Sequence, residues 1–447
     1  MMRISIRFLS LVFVGIFFRI FLISYSLGYR ENTDILRWKD WGRISYLFSL
    51  KDTYKPDYLS FGTLPNNMPP GTLYIVSGMY RLNILASKFV LRFSHEDPGS
   101  NMFLNATLPI IFLRIPSLFF DILIAVLMYI ILKKESGEKV AATSSMLFFF
   151  NPIVLYNSSV WGQMDSVTTG LFLLAFVSFY KKHFTFALLF AMFSFFVKLS
   201  LVFLLPILIL GIFISSKSLA ATLKSIAVSL VLTMAAILPL SASPLSWVWN
   251  FLLKNATGEM QNITAFAFNL WWFFFTPVLS IVSNQNVFEF SGIRLMGSPL
   301  VTQTFLGVPL WIYAVTLFII SLLPFIHMWF SQKGKFLEPR KLFLFSALVS
   351  LLVFLILPQM HERYMYPVFP FLALAIGLGE PFLSEFFSLS VLHLMNLIFV
   401  WHPMKELLLF YPVMNSSLVQ WGISAGIVSV SLFVYWKSYY RLNNPND

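Results

Sequence analysis

The chain has 447 residues, of which 58% are hydrophobic and only 11% are charged. A soluble protein carries roughly 25% charged residues, so this composition excludes a water-soluble globule. The formal charge of +12 comes from basic residues in short clusters between apolar runs, which indicates membrane topology rather than a nucleic-acid partner. The absence of cysteine excludes disulfides, thiolate metal sites and cysteine nucleophiles.

The apolar runs predict an all-α polytopic membrane protein with about twelve transmembrane helices. A spanning helix needs about 20 mainly apolar residues, and basic flanks mark its cytoplasmic side. Arg3, Arg7 and the later basic clusters then place both termini in the cytoplasm. The predicted spans are 7–27, 108–132, 140–157, 166–180, 184–197, 199–214, 225–241, 306–330, 342–358, 366–380, 386–401 and 418–436.

Two long segments lie outside the cytoplasm in this topology, at 28–107 and 242–305. The first contains an apolar stretch from Pro70 to Leu91. If this stretch were a span, every later basic cluster would change sides. We therefore predict interfacial helices in the first outer loop. We expect one domain over 1–447, because the sequence has no linker and no obvious repeat.

The motif ENTDILRWKDW, at 31–41, follows the first predicted span and holds Asp34 and Asp40 beside Arg37 and Trp38. Polar groups at membrane depth or at loop mouths are costly, and so they are candidates for a functional site. A carboxylate there can act as a general base or bind a metal ion through oxygen. A solvated loop anchored by aromatic rings explains the same spacing.

Two further motifs have a structural interpretation. NNMPPGTLY, at 66–74, stiffens and turns the chain, which suits the start of an interfacial helix. In FLRIPSLFFD, Arg114 and Asp121 are two helical turns apart and share one face. They are either functional or a pair that ties helices together. Arg19, inside the first span, is a candidate partner for Asp121 or for another carboxylate.

The motif VWGQMDS, at 160–166, joins two predicted spans. Gln163 and Asp165 offer a donor, acceptors and a charge beside the indole of Trp161. This grouping fits a sugar or a phosphate-linked ligand. A capped helix start explains Asp165 and Ser166 equally well.

The motif PQMHERYMYP, at 358–367, places His361, Glu362 and Arg363 where the chain leaves the bilayer. Arginine offers a fork that suits phosphate oxygens, and histidine can donate a proton or a hydrogen bond. Lys198 interrupts another apolar run and is a further candidate phosphate contact. The sequence has no Gly-rich phosphate loop and no zinc-ligand spacing, which argues against an ATP-driven pump and a zinc hydrolase.

In this order the motifs resemble the GT-C superfamily of polyprenyl-phosphate-sugar-dependent glycosyltransferases. Asp34, Arg37 and Trp38 resemble the acidic motif of the family's first loop. MPPGTLY and RIPSLFFD are similar to segments of the dolichyl-phosphate-glucose glucosyltransferases. WGQMDS, HERYMYP, FAFNLWW and VKLSLVFLLP resemble prokaryotic relatives of the second GPI-anchor mannosyltransferase. The residues of WGQMDS and HERYMYP favour the plasma membrane of a prokaryote over the ER membrane.

The resemblance implies an inverting transfer that needs no metal or other cofactor. A hexose, mannose first and glucose next, would pass from a polyprenyl- or dolichyl-phosphate donor to an acceptor hydroxyl on the non-cytoplasmic face. The acceptor would be a glycan, a lipid or a protein. Asp34 would be the general base, and the donor phosphate would contact Arg363, His361 and Lys198. The expected sugar and acceptor contacts are Gln163, Asp165, Trp161, Glu362, Arg37 and Trp38.

One departure from the family pattern lies in the first loop. Many relatives carry an acidic pair there, whereas this chain has Asn32 beside Glu31. The departure leaves Asp34 as the expected base. It leaves open whether Glu31 or Asp40 assists.

Two other functions remain open from the sequence. A transporter or lipid flippase would place polar residues at the bilayer midplane, in inverted repeats or broken helices. This chain instead gathers its ionisable groups at one face, which favours surface chemistry. A catalytically inactive assembly component is the third possibility.

Overall fold

The structure, a computed structural model, is mainly helical and describes residues 4–27, 33–60, 63–93, 101, 103–258, 261–275, 288–290, 293–295, 298–332 and 334–443. The helices of the first part are α1 Ile6–Ser26, α2 Thr33–Leu47, α3 Pro70–Leu91, α4 Leu108–Ser136, α5 Glu138–Phe149, α6 Pro152–Leu155, α7 Asp165–Tyr180, α8 Phe184–Val197, α9 Leu205–Ser216, α10 Leu219–Ala235 and α11 Pro244–Gly258. Those of the second part are α12 Leu310–Ser331, α13 Pro339–Ile356, α14 Val368–Gly377, α15 Leu383–Val400, α16 Lys405–Leu408, α17 Tyr411–Met414 and α18 Ser417–Asn443.

Shorter elements lie between the helices. Residues 270–275 are also helical. The 3-10 helices are Leu50–Tyr54, Pro56–Tyr58, Leu199–Leu204, Lys335–Leu337 and Glu362–Met365, and the π-helices are Phe103–Thr107 and Tyr156–Trp161. The strands are β1 Thr264–Ala265, β2 Phe288–Phe290, β3 Ile293–Leu295, β4 Thr304–Phe305, β5 Val308–Pro309 and β6 Met360–His361. They form three two-stranded pairs: β1 with β6 in parallel, and β2 with β3 and β4 with β5 antiparallel.

Seven helices among the described residues are long and apolar enough to cross a membrane, or eight if the bent pair α5 and Pro152–Trp161 counts as one span. This supports the multi-pass prediction. The predicted count of about twelve is not confirmed, although each predicted span overlaps a helix. Helices α7 and α8 have 16 and 14 residues. At about 1.5 Å per residue they are shorter than the roughly 30 Å hydrocarbon core of a bilayer.

Residue contacts divide the chain into two compact units. The Asp34 unit contains residues 9–124 and 157–255, and the Arg363 unit contains residues 1–8, 125–156 and 256–447. The chain passes between them four times, so neither unit is a contiguous stretch of sequence. The prediction of one domain over 1–447 remains untested by this division.

The Asp34 unit has an apolar core to which α2 and α3 both contribute. Trp38 and Trp41 of α2 are 1% and 2% exposed and pack with Leu73 and Val76 of α3. These rings and branched side chains remove large apolar areas from solvent, at about 25 cal/mol per Å². The core therefore fixes α2, which carries Asp34, against α3.

A buried ion pair also joins α1 to α4 in this unit. Arg19 Nε lies 3.3 Å from Asp121 Oδ2, and both side chains are fully buried. Ser158 Oγ donates to the same oxygen at 2.5 Å. The predicted pairing of Arg19 with Asp121 is confirmed. Because an unpartnered charge inside an apolar helix bundle is costly, this pair fixes the relative position of the two helices.

The Arg363 unit is built around α13. In the apolar segment of this helix, 89% of the residues are buried. Helix α14 follows it and is buried along nearly its whole length. Glu380, just after α14, accepts from Arg340 at the start of α13 and from Arg441 of α18, at 2.9 Å for the second. These ion pairs tie three segments together at one end of the unit.

Candidate functional site

The predicted site residues are divided between the two units. Asp34, in the first turn of α2, is half-buried and belongs to the Asp34 unit. Gln163 Nε2 donates to its Oδ2 at 2.8 Å, across 129 residues of sequence. The structure therefore brings together the first outer loop and the VWGQMDS motif. The amide donor orients the carboxylate.

The turn that carries Gln163 is held against α4. Gly162 has a φ of +81°, and a Cβ there would lie 2.8 Å from Ile35 Cδ1 and 2.9 Å from Arg114 Cγ. Gln163 N donates to Asn157 O at 2.9 Å, and Gln163 O accepts from Ser117 Oγ at 2.6 Å. Only glycine combines this left-handed backbone with such a close approach.

Lys198 and Asp165 form an ion pair, and both side chains are buried. Asn157 Nδ2 donates to the other oxygen of Asp165 at 3.3 Å. The sequence assigned Lys198 to phosphate and Asp165 to sugar, and it gave no sign of their pairing. The two residues are 33 positions apart, so helical spacing could not have shown it.

The aromatic candidates in this unit are core residues. Trp38 is 1% exposed and Trp161 is 4% exposed. A ring that stacks on a sugar needs an open face, and neither indole has one in this structure. Arg37 is half-buried. Sugar contacts by these three residues stay predictions.

Asp40 organises the first outer loop. It accepts from Ser60 N at 2.9 Å, Ser60 Oγ at 2.6 Å, Thr63 Oγ1 at 2.8 Å and Arg43 Nε at 2.9 Å. Burial alone would raise the pKa of Asp40, but these hydrogen bonds bring it below its ordinary value. The Asp40 carboxylate is thus hydrogen-bonded to its own loop. Glu31 and Asn32 lie outside the described residues.

In the Arg363 unit, two sequence motifs pair through their backbones. Strand β6 carries His361 and runs parallel to β1 of the segment QNITAFAFN, with Ala265 opposite His361. Gln359 N also donates to Ile263 O at 2.8 Å. Sequence reasoning named HERYMYP and FAFNLWW, which begins one residue after β1, and missed this pairing, because strands of two residues leave no periodic signal.

The charged cluster after β6 is compact. Arg363 Nη1 lies 2.8 Å from Glu362 Oε1, and His361 Nδ1 lies 3.6 Å from Glu362 Oε2. Burial would raise the pKa of Glu362, but the neighbouring Arg363 charge and His361 lower it to about 2. Glu362 is therefore an anion that orients the two cationic candidates, and its side chain is 1% exposed.

Asn396 of α15 holds the partner segment in place. Its Nδ2 donates to Phe266 O at 2.8 Å, and its Oδ1 accepts from Phe268 N at 3.0 Å. Asn269 Oδ1 similarly accepts from Trp271 N and Trp272 N, both at 3.2 Å. Asn396 lies outside every motif in the sequence, so sequence reasoning did not find it.

No protein-family model matches this sequence, and no curated protein is significantly similar to it. Among solved structures, the chain is similar to ArnT from Cupriavidus metallidurans bound to undecaprenyl phosphate. The two are 12% identical, the match covers 97% of this chain and 76% of that chain, and the TM-score is 0.49. For the apo state of ArnT the identity and coverage are the same and the TM-score is 0.44.

Proposed function

We propose that this chain is an integral membrane glycosyltransferase that moves a hexose from a polyprenyl-phosphate donor to an acceptor hydroxyl on the non-cytoplasmic face. Mannose is the first candidate sugar and glucose the second. The acceptor is a lipid-linked glycan or another hydroxyl-bearing molecule. The transfer inverts the anomeric centre.

The contact between Gln163 and Asp34 carries this proposal. Transfer to a hydroxyl needs a base within hydrogen-bond reach of the acceptor proton. Asp34 is half-buried, at the start of a helix that follows a candidate membrane span. An amide that holds one of its oxygens leaves the carboxylate oriented and able to accept a proton.

The cationic candidates support the donor side of the proposal. As the sugar–phosphate bond breaks, negative charge builds on the leaving phosphate, and fixed cations stabilise it. Arg363 supplies positive charge and donors, His361 supplies a ring nitrogen that can donate, and Glu362 fixes their geometry. Lys198 of the Asp34 unit, held in place by Asp165, is a further candidate phosphate contact.

The direct test is transfer by the purified protein. Full-length protein is incubated with polyprenyl-phosphate-mannose or polyprenyl-phosphate-glucose and a panel of acceptors, and donor consumption and glycosylated product are followed. We expect one donor to be consumed in an acceptor-dependent way. Inertness toward both donors with every acceptor would contradict the proposal and favour a transporter or flippase.

Asp34→Asn tests the base. Asparagine keeps the size of the side chain and an oxygen for Gln163, but it cannot take a proton. We expect the transfer rate to fall by about 10²- to 10⁴-fold, with donor binding retained. Asp57→Asn is the matched control, because Asp57 is an exposed carboxylate of the same loop. An Asp34→Asn variant with the wild-type rate would refute the assignment.

A further inference from the structure

The start of α3, in the MPPGT stretch, packs directly on the end of α8. Pro70 occupies the first helical position, where its fixed φ and missing N–H cost nothing. A Cβ at Gly71 would lie 2.5 Å from Phe196 O and 2.7 Å from Phe196 C. These are backbone atoms, which cannot turn aside as a flexible side chain could. Only glycine allows this approach.

The next residue supplies a hydrogen bond to the end of α8. Thr72 Oγ1 donates to Val197 O at 2.6 Å, and Thr72 is 1% exposed. The last carbonyls of a helix have no partner within it. Here α8 stops at Val197, and Lys198 is extended, with φ −160° and ψ 138°. Thr72 therefore satisfies the last carbonyl of α8.

The end of α8 at Val197 sets the direction of the Lys198 side chain. Its Nζ donates to Asp165, and Asp165 also accepts from Asn157 at 3.3 Å. The carbonyl of Asn157 accepts from Gln163 N at 2.9 Å, and the Gln163 amide reaches Asp34. One continuous run of contacts within the Asp34 unit thus leads from Thr72 to the proposed base.

We infer that Gly71 and Thr72 are positioning residues for transfer, acting through Lys198. They fix the point where α8 ends, and so they fix the Lys198–Asp165 ion pair. This inference rests on the proposed function for its kinetic consequence. The placement of Lys198 by these two residues does not depend on the proposed function.

The kinetic test compares Thr72→Val, which replaces the hydroxyl by a methyl group that cannot donate, with Thr72→Ser, which keeps the hydroxyl. We expect Thr72→Val to lower kcat/KM for the donor about tenfold, near the loss of one buried hydrogen bond, and Thr72→Ser to restore it. Thr233→Val is the matched control, since the buried Thr233 hydroxyl donates to Ser229 O at 2.8 Å within α10. Equal losses of kcat/KM in Thr72→Val and Thr233→Val would show that the effect comes from disturbed packing in general, and they would overturn the inference.

The structural test needs no activity. An amine-reactive reagent is applied to the folded protein, and modification of Lys198 is measured by mass spectrometry against the exposed Lys182. We expect protection in wild type, Thr72→Ser and Thr233→Val, and several-fold higher modification in Thr72→Val. Unchanged protection in Thr72→Val would overturn the inference. A wild-type protein that protects Lys198 but transfers no sugar would refute the proposed function alone.

Discussion

Asp34 and Asp40 lie on the same helix, but their carboxylates have different partners. Asp40 is 5% exposed and receives hydrogen bonds from Ser60, Thr63 and Arg43. Asp34 is half-buried and held by Gln163. The first carboxylate stabilises the loop, and the second is the base in the proposed transfer.

Asp40 should make the stability of the protein depend on pH. Its pKa is lower in the folded protein than its ordinary value of 3.8, so its contribution is complete above that value and is lost as the pH falls through the folded pKa. We expect Asp40→Asn to lower the free energy of unfolding by roughly 1–3 kcal/mol at neutral pH, with a smaller difference in acid. Thermal unfolding of both proteins from pH 3 to pH 7 measures this.

The control for Asp40 is Asp57→Asn. Asp57 is exposed, and surface substitutions of this kind stay within about 0.5 kcal/mol. If Asp40→Asn unfolded at the wild-type temperature at neutral pH, the loop role of Asp40 would be disproved.

Charged residues differ in how far their partners follow from the sequence. Arg19 and Asp121 are charges in apolar runs, so the sequence indicated that each needs a partner, and their pairing was one of the alternatives it offered. The Lys198–Asp165 pair could not be predicted, because Asp165 also fitted a helix start and Lys198 also fitted a phosphate contact. No sequence pattern indicated the role of Thr72, since that role depends on the end of a helix 125 residues away.

At the scale of elements, the break between α5 and α6 is set by one side chain. Asn151 Oδ1 accepts from Ile153 N at 2.9 Å, which caps α6 ahead of Pro152. Its Nδ2 donates to Ser390 Oγ of α15 at 2.8 Å. Helix α5 and the helical segment Pro152–Trp161, which begins with α6, are bent by 49°. Asn151 therefore ends one helix, begins the next and binds a third.

Asn151→Ala removes all of these hydrogen bonds from a side chain that is 3% exposed. Because the Ile153 N–H and Ser390 hydroxyl lose their partner, we expect a loss of about 1–3 kcal/mol in the free energy of unfolding. Asn415→Ala, at an exposed asparagine of the same unit, is the control. Equal melting temperatures for the two variants would contradict the capping role.

The sequence predicted helix positions well and small paired segments poorly. Predicted spans 184–197 and 199–214 match Phe184–Val197 and Leu199–Ser216 closely, because Lys182, Lys198 and Lys217 mark the limits of the two apolar runs. The β1–β6 pair, which places His361, was missed. Its register depends on the backbone hydrogen bonds of two distant turns and on Asn396, and none of these leaves a periodic pattern.

At the scale of the whole molecule, the topology remains a prediction that the chain is well suited to test. The sequence contains no cysteine, so a single introduced cysteine has a unique thiol. We expect Asp57→Cys to react with a membrane-impermeant maleimide in intact cells, and Glu135→Cys to react only after the membrane is opened. Both positions are exposed. The unsubstituted protein gives the background labelling. If Glu135→Cys reacted in intact cells and Asp57→Cys reacted only after the membrane was opened, the predicted orientation would be wrong.

The division of the chain into units has a consequence for biosynthesis. Every residue of the Asp34 unit precedes position 256, whereas the Arg363 unit needs residues from 1–8 through the last third of the chain. Since chains begin to fold from the N-terminal side during translation, the Asp34 unit has its full complement while the ribosome is still making the rest. The proposed base can then be assembled first, and the segments 1–8 and 125–156 must wait, already made, for partners that emerge last.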